Sequence, residues 1–182
     1  MMRADQLTQK GEGKVVAVID TGVEMTHPAF AGAMGSTPSL TADKVEALAP
    51  KLGNGKLGVY VSEKFPFAYD YADGDNDAMP AKGSYGSHGT HVAGITAGNA
   101  DQIIGVAPEA QIIVAKVSRS EDGEIPDSAL LAALDDMVVL HPDVVNLSLG
   151  QLGGMDNEAD SVFASVFKKL QDEGISVNAA AG

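Results

Sequence analysis

The sequence predicts an α/β protein in which helices cover both faces of a parallel β-sheet, giving three layers. Three largely apolar runs, at residues 15–19, 111–117 and 143–149, are rich in valine, isoleucine or leucine. Runs of this length are typical of strands that are buried on both faces, as in parallel sheets. Segments with a helical spacing of apolar residues alternate with such runs, which is the pattern of a layered α/β sheet.

The first predicted strand follows a polar segment, residues 1–12, that we expect to be a surface arm. Asp127 is placed to cap a helix that runs to residue 140, and Gly174 is placed to end the next helix. The other predicted elements are a short helix at 43–48, short strands at 57–61 and 67–71, a buried helix at 92–98 and a strand at 175–180. No internal repeat or domain boundary interrupts the pattern, so residues 1–182 are predicted to form a single domain.

The composition argues against several classes of function. The 25 acidic and 12 basic residues give a net charge of −13, and a nucleic-acid partner is not expected because phosphate binding needs a basic face. The absence of cysteine excludes disulfides and thiol catalysis. No run of about 18 apolar residues occurs, so no membrane span is predicted. The first residues lack the apolar region of a secretion signal.

Two residues are candidates for catalysis. Asp20 ends the first predicted strand, and working sites in open α/β sheets lie at the carboxyl ends of strands. His88 lies in a glycine-rich stretch where a loop meets a helix. An aspartate can orient a histidine that acts as a general base, but such a pair needs a nucleophile, usually serine. From the residues alone, a capping aspartate and an unrelated surface histidine remain the alternative.

The same residues allow two further interpretations. The tripeptide Asp-Thr-Gly at Asp20 also occurs in aspartic proteases, which need two such loops in an all-β fold. His88 and His91 could meet on one helix face as zinc ligands, but no glutamate follows at the spacing of zinc proteases. His27 and His141 each precede a proline and are interpreted as turn or surface residues. We therefore predict no metal ligands among these histidines, and no cofactor.

An acidic loop leaves calcium open as an alternative. Asp73, Asp75 and Asp77 place carboxylates at alternate positions, which suits calcium. The EF-hand pattern fails because Ala78 stands where glycine is needed and Ser84 where glutamate is needed. The favoured interpretation of the loop is a solvated acidic segment.

Four sequence blocks resemble those of subtilisin-like serine proteases, the subtilases or peptidase S8 family. Val-Ala-Val-Ile-Asp-Thr-Gly-Val around Asp20, followed by Thr-His-Pro, resembles the family's aspartate motif. His-Gly-Thr-His-Val-Ala-Gly, beginning at His88, resembles its histidine motif. Gly-Val-Ala-Pro at 105–108 and Asp-Val-Val-Asn-Leu-Ser-Leu-Gly at 143–150 match two more blocks in the family's order. The wide gap between the first two motifs looks like the cell-envelope branch, which contains lactocepin-type proteinases and streptococcal complement-cleaving peptidases.

The resemblance implies a subtilisin-like fold and a set of roles. Asp20 would be the orienting acid and His88 the general base of an Asp-His-Ser triad, and His91 would be structural. Five residues would bind a polypeptide substrate by β-augmentation or wall its specificity pocket: Ser148, Leu149, Gly150, Ala180 and Gly182. The resemblance also implies an extracellular or cell-envelope protein.

The sequence departs from the family pattern at the nucleophile. The motif Gly-Thr-Ser-Met-Ala does not occur in it. The family's order of Asp, His and Ser would place the serine, like the oxyanion asparagine, beyond Gly182. We therefore expect residues 1–182 to be the N-terminal part of a truncated catalytic domain that is inactive by itself. We also expect homo-association through apolar surface that the missing part would cover.

Two other classes of function compete with a protease. A non-catalytic pseudo-protease would keep a peptide-binding groove, but it has no chemical need for both Asp20 and His88. A nucleotide-binding α/β protein would need a phosphate-cradling glycine loop, and no G-x-G-x-x-G sequence follows the first strand. The sequence favours a serine endopeptidase as the parent protein.

Overall fold

The computed structural model describes residues 6–53, 58–82, 86–100, 103–150 and 162–180. The strands within these residues are β1 (Val15–Asp20), β2 (Phe67–Asp70), β3 (Asn99–Ala100), β4 (Ile103–Ile104), β5 (Gln111–Lys116), β6 (Val144–Leu147) and β7 (Ser176–Ala179). The α-helices within them are α1 (Ala42–Leu48), α2 (Ser87–Ala97), α3 (Asp127–Leu140) and α4 (Ala164–Asp172). Short 3₁₀ turns occupy Pro28–Phe30 and Ala49–Lys51.

Five of the described strands form one sheet in the order β2-β5-β1-β6-β7, and every neighbouring pair is parallel. β1 lies at the centre and pairs with β5 along its whole length, so that Val15 is opposite Gln111 and Asp20 is opposite Lys116. The prediction of a parallel sheet is confirmed. Because the strands are parallel, their carboxyl ends meet at a single edge.

β1 is buried along its whole length because its side chains point alternately into two cores. Val16 and Val18 lie in the core that includes Ala93 of α2. Ala17 and Ile19 lie in the other core, which α3 and α4 share. Helices therefore cover both faces of the sheet, and the predicted three-layer architecture is confirmed.

The expected strand at 57–61 is wrong over its described part. Val59 instead makes an isolated antiparallel bridge to Ala68 of β2. Tyr60 and Val61, which follow it, are exposed. Their apolar side chains gave a strand-like pattern, but no sheet face is present to bury them.

Two details of the helices differ from the sequence predictions. Pro126, in extended conformation, occupies the N-cap position of α3, and Asp127 is the first helical residue. The segment 92–98 is buried on one face only, because Ile95 is 56% exposed.

In the part of the chain that the structure describes, no helix is long and apolar enough to cross a membrane.

Candidate active site

Asp20 is the last residue of β1 and lies at the carboxyl edge of the sheet. It is only 1% exposed. Its Oδ1 accepts a hydrogen bond of 2.7 Å from the backbone N–H of Thr21. Its Oδ2 is buried and has no hydrogen-bond partner among the described residues. The bond from Thr21 fixes the carboxylate at the point where the strand ends.

His88 is the second residue of α2, and its Nδ1 lies 2.7 Å from Oδ1 of Asp20. A hydrogen bond to a carboxylate requires the proton on Nδ1, which leaves Nε2 of the neutral ring as an acceptor. The side chain of His88 is 47% exposed, whereas that of Asp20 is 1% exposed. The histidine therefore rests against a buried carboxylate on one side and is open to solvent on the other. The structure brings together the two residues that the sequence singles out.

Gly89 allows the helix to approach the strand end this closely. A Cβ at Gly89 would lie 2.3 Å from the carbonyl oxygen of Gly22 and 3.1 Å from Oδ1 of Asp20. Real Cβ contacts are never as short as the first of these distances. The glycine after His88 is therefore required by the packing of α2 against the end of β1.

A buried ion pair beside Asp20 is a feature that the sequence analysis missed. Lys116 of β5 is opposite Asp20 on one side and Asp70 of β2 on the other. Its Nζ lies 2.5 Å from Oδ2 of Asp70, and both side chains are 1% exposed. Burial raises the pKa of Asp70, and the bond from Lys116 opposes that rise. The only signal in the sequence is a lysine at the end of a strand whose residues before it are mostly apolar, and this signal does not identify the partner of the lysine.

The candidate substrate-binding residues that are described lie at the ends of β6 and β7. The backbone N–H of Ala180 donates to the last residue of β6 over 2.9 Å, so the two strand ends lie side by side. Gly150 and Ala180 are exposed, and Ser148 is half-buried. Leu149 packs at the margin of a core. Gly182 lies outside the described residues.

The other three histidines lie in separate surroundings and take no part in the contact between His88 and Asp20. His91 is exposed on α2, His27 accepts a hydrogen bond from the backbone two residues further on, and His141 forms the left-handed C-cap of α3. Over the described ranges, no group of three histidine, aspartate or glutamate residues is arranged to hold a metal ion. The zinc interpretation therefore has no support in the geometry of the described residues.

The carboxylates of the acidic loop have hydrogen-bond partners within the protein. Oδ2 of Asp73 accepts from the backbone N–H of Ser120, which is distant in the sequence. Oδ1 of Asp75 accepts from the backbone N–H of Asp77, and Oδ1 of Asp77 accepts from that of Met79. Short polar side chains commonly stabilise turns in this way. These bonds explain the loop without an ion, and calcium binding there stays a prediction.

A cavity of about 1060 Å³ lies beside the exposed side of α2. Its lining includes Ser87 and His91 of α2 and Ile104 of β4, but neither Asp20 nor His88. The candidate active site is therefore the pair at the strand end and not this cavity.

Comparison with known proteins identifies the family. The model of the subtilase family, peptidase S8, matches residues 11–182. This chain belongs to the subtilase family. The resemblance carried by the aspartate and histidine motifs is thereby confirmed.

Two kinds of relative match almost the whole subtilase chain. The PI-type proteinase of Lactococcus lactis subsp. cremoris is 34% identical over 181 residues, covering 95% of this chain and 9% of the relative. The C5a peptidase of Streptococcus pyogenes is 28% identical over 181 residues, covering 95% of this chain and 15% of the relative. The chain therefore spans only a small part of the length of these relatives.

Solved structures share the fold. A cold-adapted subtilisin-like serine proteinase superposes with a TM-score of 0.62 at 27% identity, covering 97% of this chain and 49% of the other. A psychrophilic protease called S41 superposes with a TM-score of 0.63 at 26% identity, covering 97% and 48%. The subtilisin-like fold class is thus confirmed.

Proposed function

We propose that this subtilase chain supplies the acid and the base of a serine endopeptidase, with Asp20 as the orienting acid and His88 as the general base. The match to the family model and the similarity to named proteinases support a peptidase as the enzyme class. The observation that carries the residue assignment is the 2.7 Å contact between His88 Nδ1 and Asp20 Oδ1. One partner of this contact is buried, and the other is open to solvent.

The geometry suits proton transfer through Nε2 of His88. Nε2 takes the proton from a serine hydroxyl while the serine oxygen attacks the carbonyl carbon of the substrate. The buried carboxylate of Asp20 stabilises the imidazolium that results. The histidine then gives the proton to the departing amine, and a water molecule repeats the attack to release the acid. The serine is proposed to lie beyond Gly182, because the Gly-Thr-Ser block does not occur in the sequence.

The substrate proposed for the site is an extended polypeptide. The backbone at Ser148, Leu149 and Gly150 would pair with it as an added strand. Ala180 and Gly182 would wall the pocket for its principal side chain. The adjacency of the two strand ends and the exposure of Gly150 and Ala180 support this arrangement. An extracellular or cell-envelope location is proposed from the relatives in lactococci and streptococci.

The decisive experiment measures peptide hydrolysis by the full-length protein, two test variants and one control variant. His88→Ala is expected to lower kcat about 10⁴- to 10⁶-fold, and Asp20→Asn about 10⁴-fold, because both remove the general base's function. His91→Ala is the matched control, since it changes an exposed histidine on the same helix that does not contact Asp20. Loss of activity in the control equal to that in His88→Ala would contradict the assignment.

Two further results would separate a protease from a non-catalytic pseudo-protease. A serine-reactive fluorophosphonate is expected to label the full-length protein and not the 182-residue chain, because the nucleophile motif is not in this chain. Peptide binding without labelling or hydrolysis in the full-length protein would favour the pseudo-protease.

A further inference from the structure

We propose that Thr21 is a positioning residue. It lies next to Asp20 at the end of β1, and from there it caps the helix that carries His88. The inference rests on the proposed function, because it concerns how the same two residues are held together. Thr21 touches neither substrate nor the reacting atoms in this proposal. It acts through the two elements that meet at the site.

The helix α2 begins without a cap of its own. Its N-cap residue is Gly86, which has no side chain to accept a hydrogen bond from the first turn. Backbone N–H groups at the start of a helix have no partner within the helix, and serine, threonine, aspartate or asparagine usually satisfies one of them. The sequence next to α2 thus leaves a donor that another part of the chain has to satisfy.

Thr21 satisfies that donor from the other element. Its Oγ1 accepts a hydrogen bond of 3.1 Å from the backbone N–H of Gly89, the third residue of α2. The third residue is the position that an N-cap side chain ordinarily binds. A longer contact of 3.4 Å runs from the same hydroxyl to the carbonyl oxygen of Gly86. Thr21, at the end of β1, therefore supplies the hydrogen-bond acceptor that the N-cap residue Gly86 lacks.

A second bond runs in the opposite direction between the same elements. The backbone N–H of Glu24, in the loop after β1, donates to Oγ1 of Thr90 on α2 over 2.9 Å. The loop thus gives an acceptor to the helix at Thr21, and the helix gives an acceptor to the loop at Thr90. The contact between His88 and Asp20 is made by the same two elements.

Glycines near His88 explain why the bond from Gly89 to Thr21 matters. Gly86 lies two residues before His88 and Gly89 directly after it, and glycine has more conformational freedom to lose on folding than any other residue. Local sequence therefore does little to hold the imidazole in place. The backbone N–H of Thr21 also binds Oδ1 of Asp20, the oxygen that faces His88. One residue thus holds both the carboxylate and the helix.

The test compares Thr21→Val with Thr21→Ser and with the control Thr26→Val. Valine keeps the shape and removes the acceptor, serine keeps the acceptor, and Thr26 is exposed in the same loop. In the full-length protein, Thr21→Val is expected to lower kcat about 10- to 100-fold with KM changed less than about threefold. Thr21→Ser is expected to restore kcat to within about threefold of the parent. Thr26→Val is expected to leave both constants unchanged.

A second readout does not depend on hydrolysis. The ¹H resonance of the His88 Nδ1 proton is expected in the parent and in Thr21→Ser, and it should be broadened by solvent exchange in Thr21→Val. Circular dichroism verifies that the variants fold. If Thr21→Val does not fold, Thr21→Ser with neither the resonance nor the activity of the parent would overturn the proposal.

The outcomes separate this inference from the proposed function. Normal kcat and an unchanged resonance in folded Thr21→Val would overturn the positioning role and leave the protease assignment intact. No hydrolysis by the parent, together with loss of the resonance in Thr21→Val alone, would support the positioning role and overturn the protease assignment.

Discussion

At the scale of single residues, Gly89 sets how closely α2 approaches the end of β1. We predict that Gly89→Ala lowers the free energy of unfolding by about 1–3 kcal/mol, because its Cβ would lie 2.3 Å from the Gly22 carbonyl oxygen. Gly94→Ala is the matched control on the same helix, since a Cβ there meets nothing within 4 Å. This control should be neutral or stabilising by up to about 1 kcal/mol. Urea unfolding measures both variants, and equal effects would contradict the tight approach at Gly89.

Lys64 is a second residue whose environment gives a measurable effect. Lys64 is only 6% exposed, and its Nζ donates hydrogen bonds to the carbonyl oxygens of Pro108 and Ala110 at 2.7 and 2.8 Å. Burial lowers the pKa of this amine to about 8, and the nearby carboxylate of Glu109 only partly opposes that effect. The amine therefore loses its proton in the folded protein at a lower pH than in the unfolded chain, where the pKa is about 10.4.

The sign of the resulting pH dependence follows from proton binding. Between about pH 8 and pH 10.4 the unfolded state holds a proton that the folded state has released, so stability rises with pH. We predict that the free energy of unfolding of the parent gains up to about 3 kcal/mol over this range relative to Lys64→Met. Urea unfolding at several pH values between 7 and 10.5 measures the difference. Parallel curves for the two proteins would show that the pKa of Lys64 is not lowered.

At the scale of elements, local pattern explains which parts of the fold are predictable. The strands β1 and β5 are predicted correctly from the sequence. Both of their faces are buried, and nearly all of their residues are therefore apolar. α3 is also found within a residue of its ends, since apolar residues recur there at helical spacing. The same logic misplaces a strand at 57–61, where the apolar residues after Val59 face solvent.

Contacts between distant elements account for what the sequence does not reveal. Lys116 is opposite Asp70 only because β5 lies between β1 and β2, and no local pattern contains that order. The bond from Gly89 to Thr21 likewise depends on where α2 packs. Asp20 and His88 can be proposed as a pair from the sequence because their motifs are family-specific. Thr21 and Gly89 belong to the same two motifs, but the motifs do not show that these two residues bind each other.

At the scale of the whole molecule, the parallel sheet gathers the candidate site at one edge. Asp20 ends β1, and the candidate substrate-binding residues follow the neighbouring strands β6 and β7. His88 joins them because α2 packs on the face of the sheet above β1. Chemistry and substrate binding can thus share one edge although their residues are far apart in the sequence.

The same sheet has an open side at β7. Among the described strands, β7 pairs with β6 on one side and with none on the other. Ser176, Asn178 and Ala179 are exposed, so only Val177 of this strand is half-buried. Unpaired strand edges offer backbone donors and acceptors to another chain. The β7 edge is thus a second surface for self-association, different from the apolar surface through which the sequence led us to expect it, and the apolar-surface expectation stays a prediction.

We predict that the 182-residue chain self-associates through β7 at high concentration, provided that salt screens its net charge of −13. Asn178→Lys should shift the chain toward monomer, because a charge on an edge strand opposes pairing with a second copy. Gln171→Lys makes the same change of charge at an exposed position on α4 and should leave the association unchanged. Sedimentation velocity over a range of concentrations measures all three chains. A parent that stays monomeric throughout, or an equal shift in both variants, would show that β7 does not mediate association.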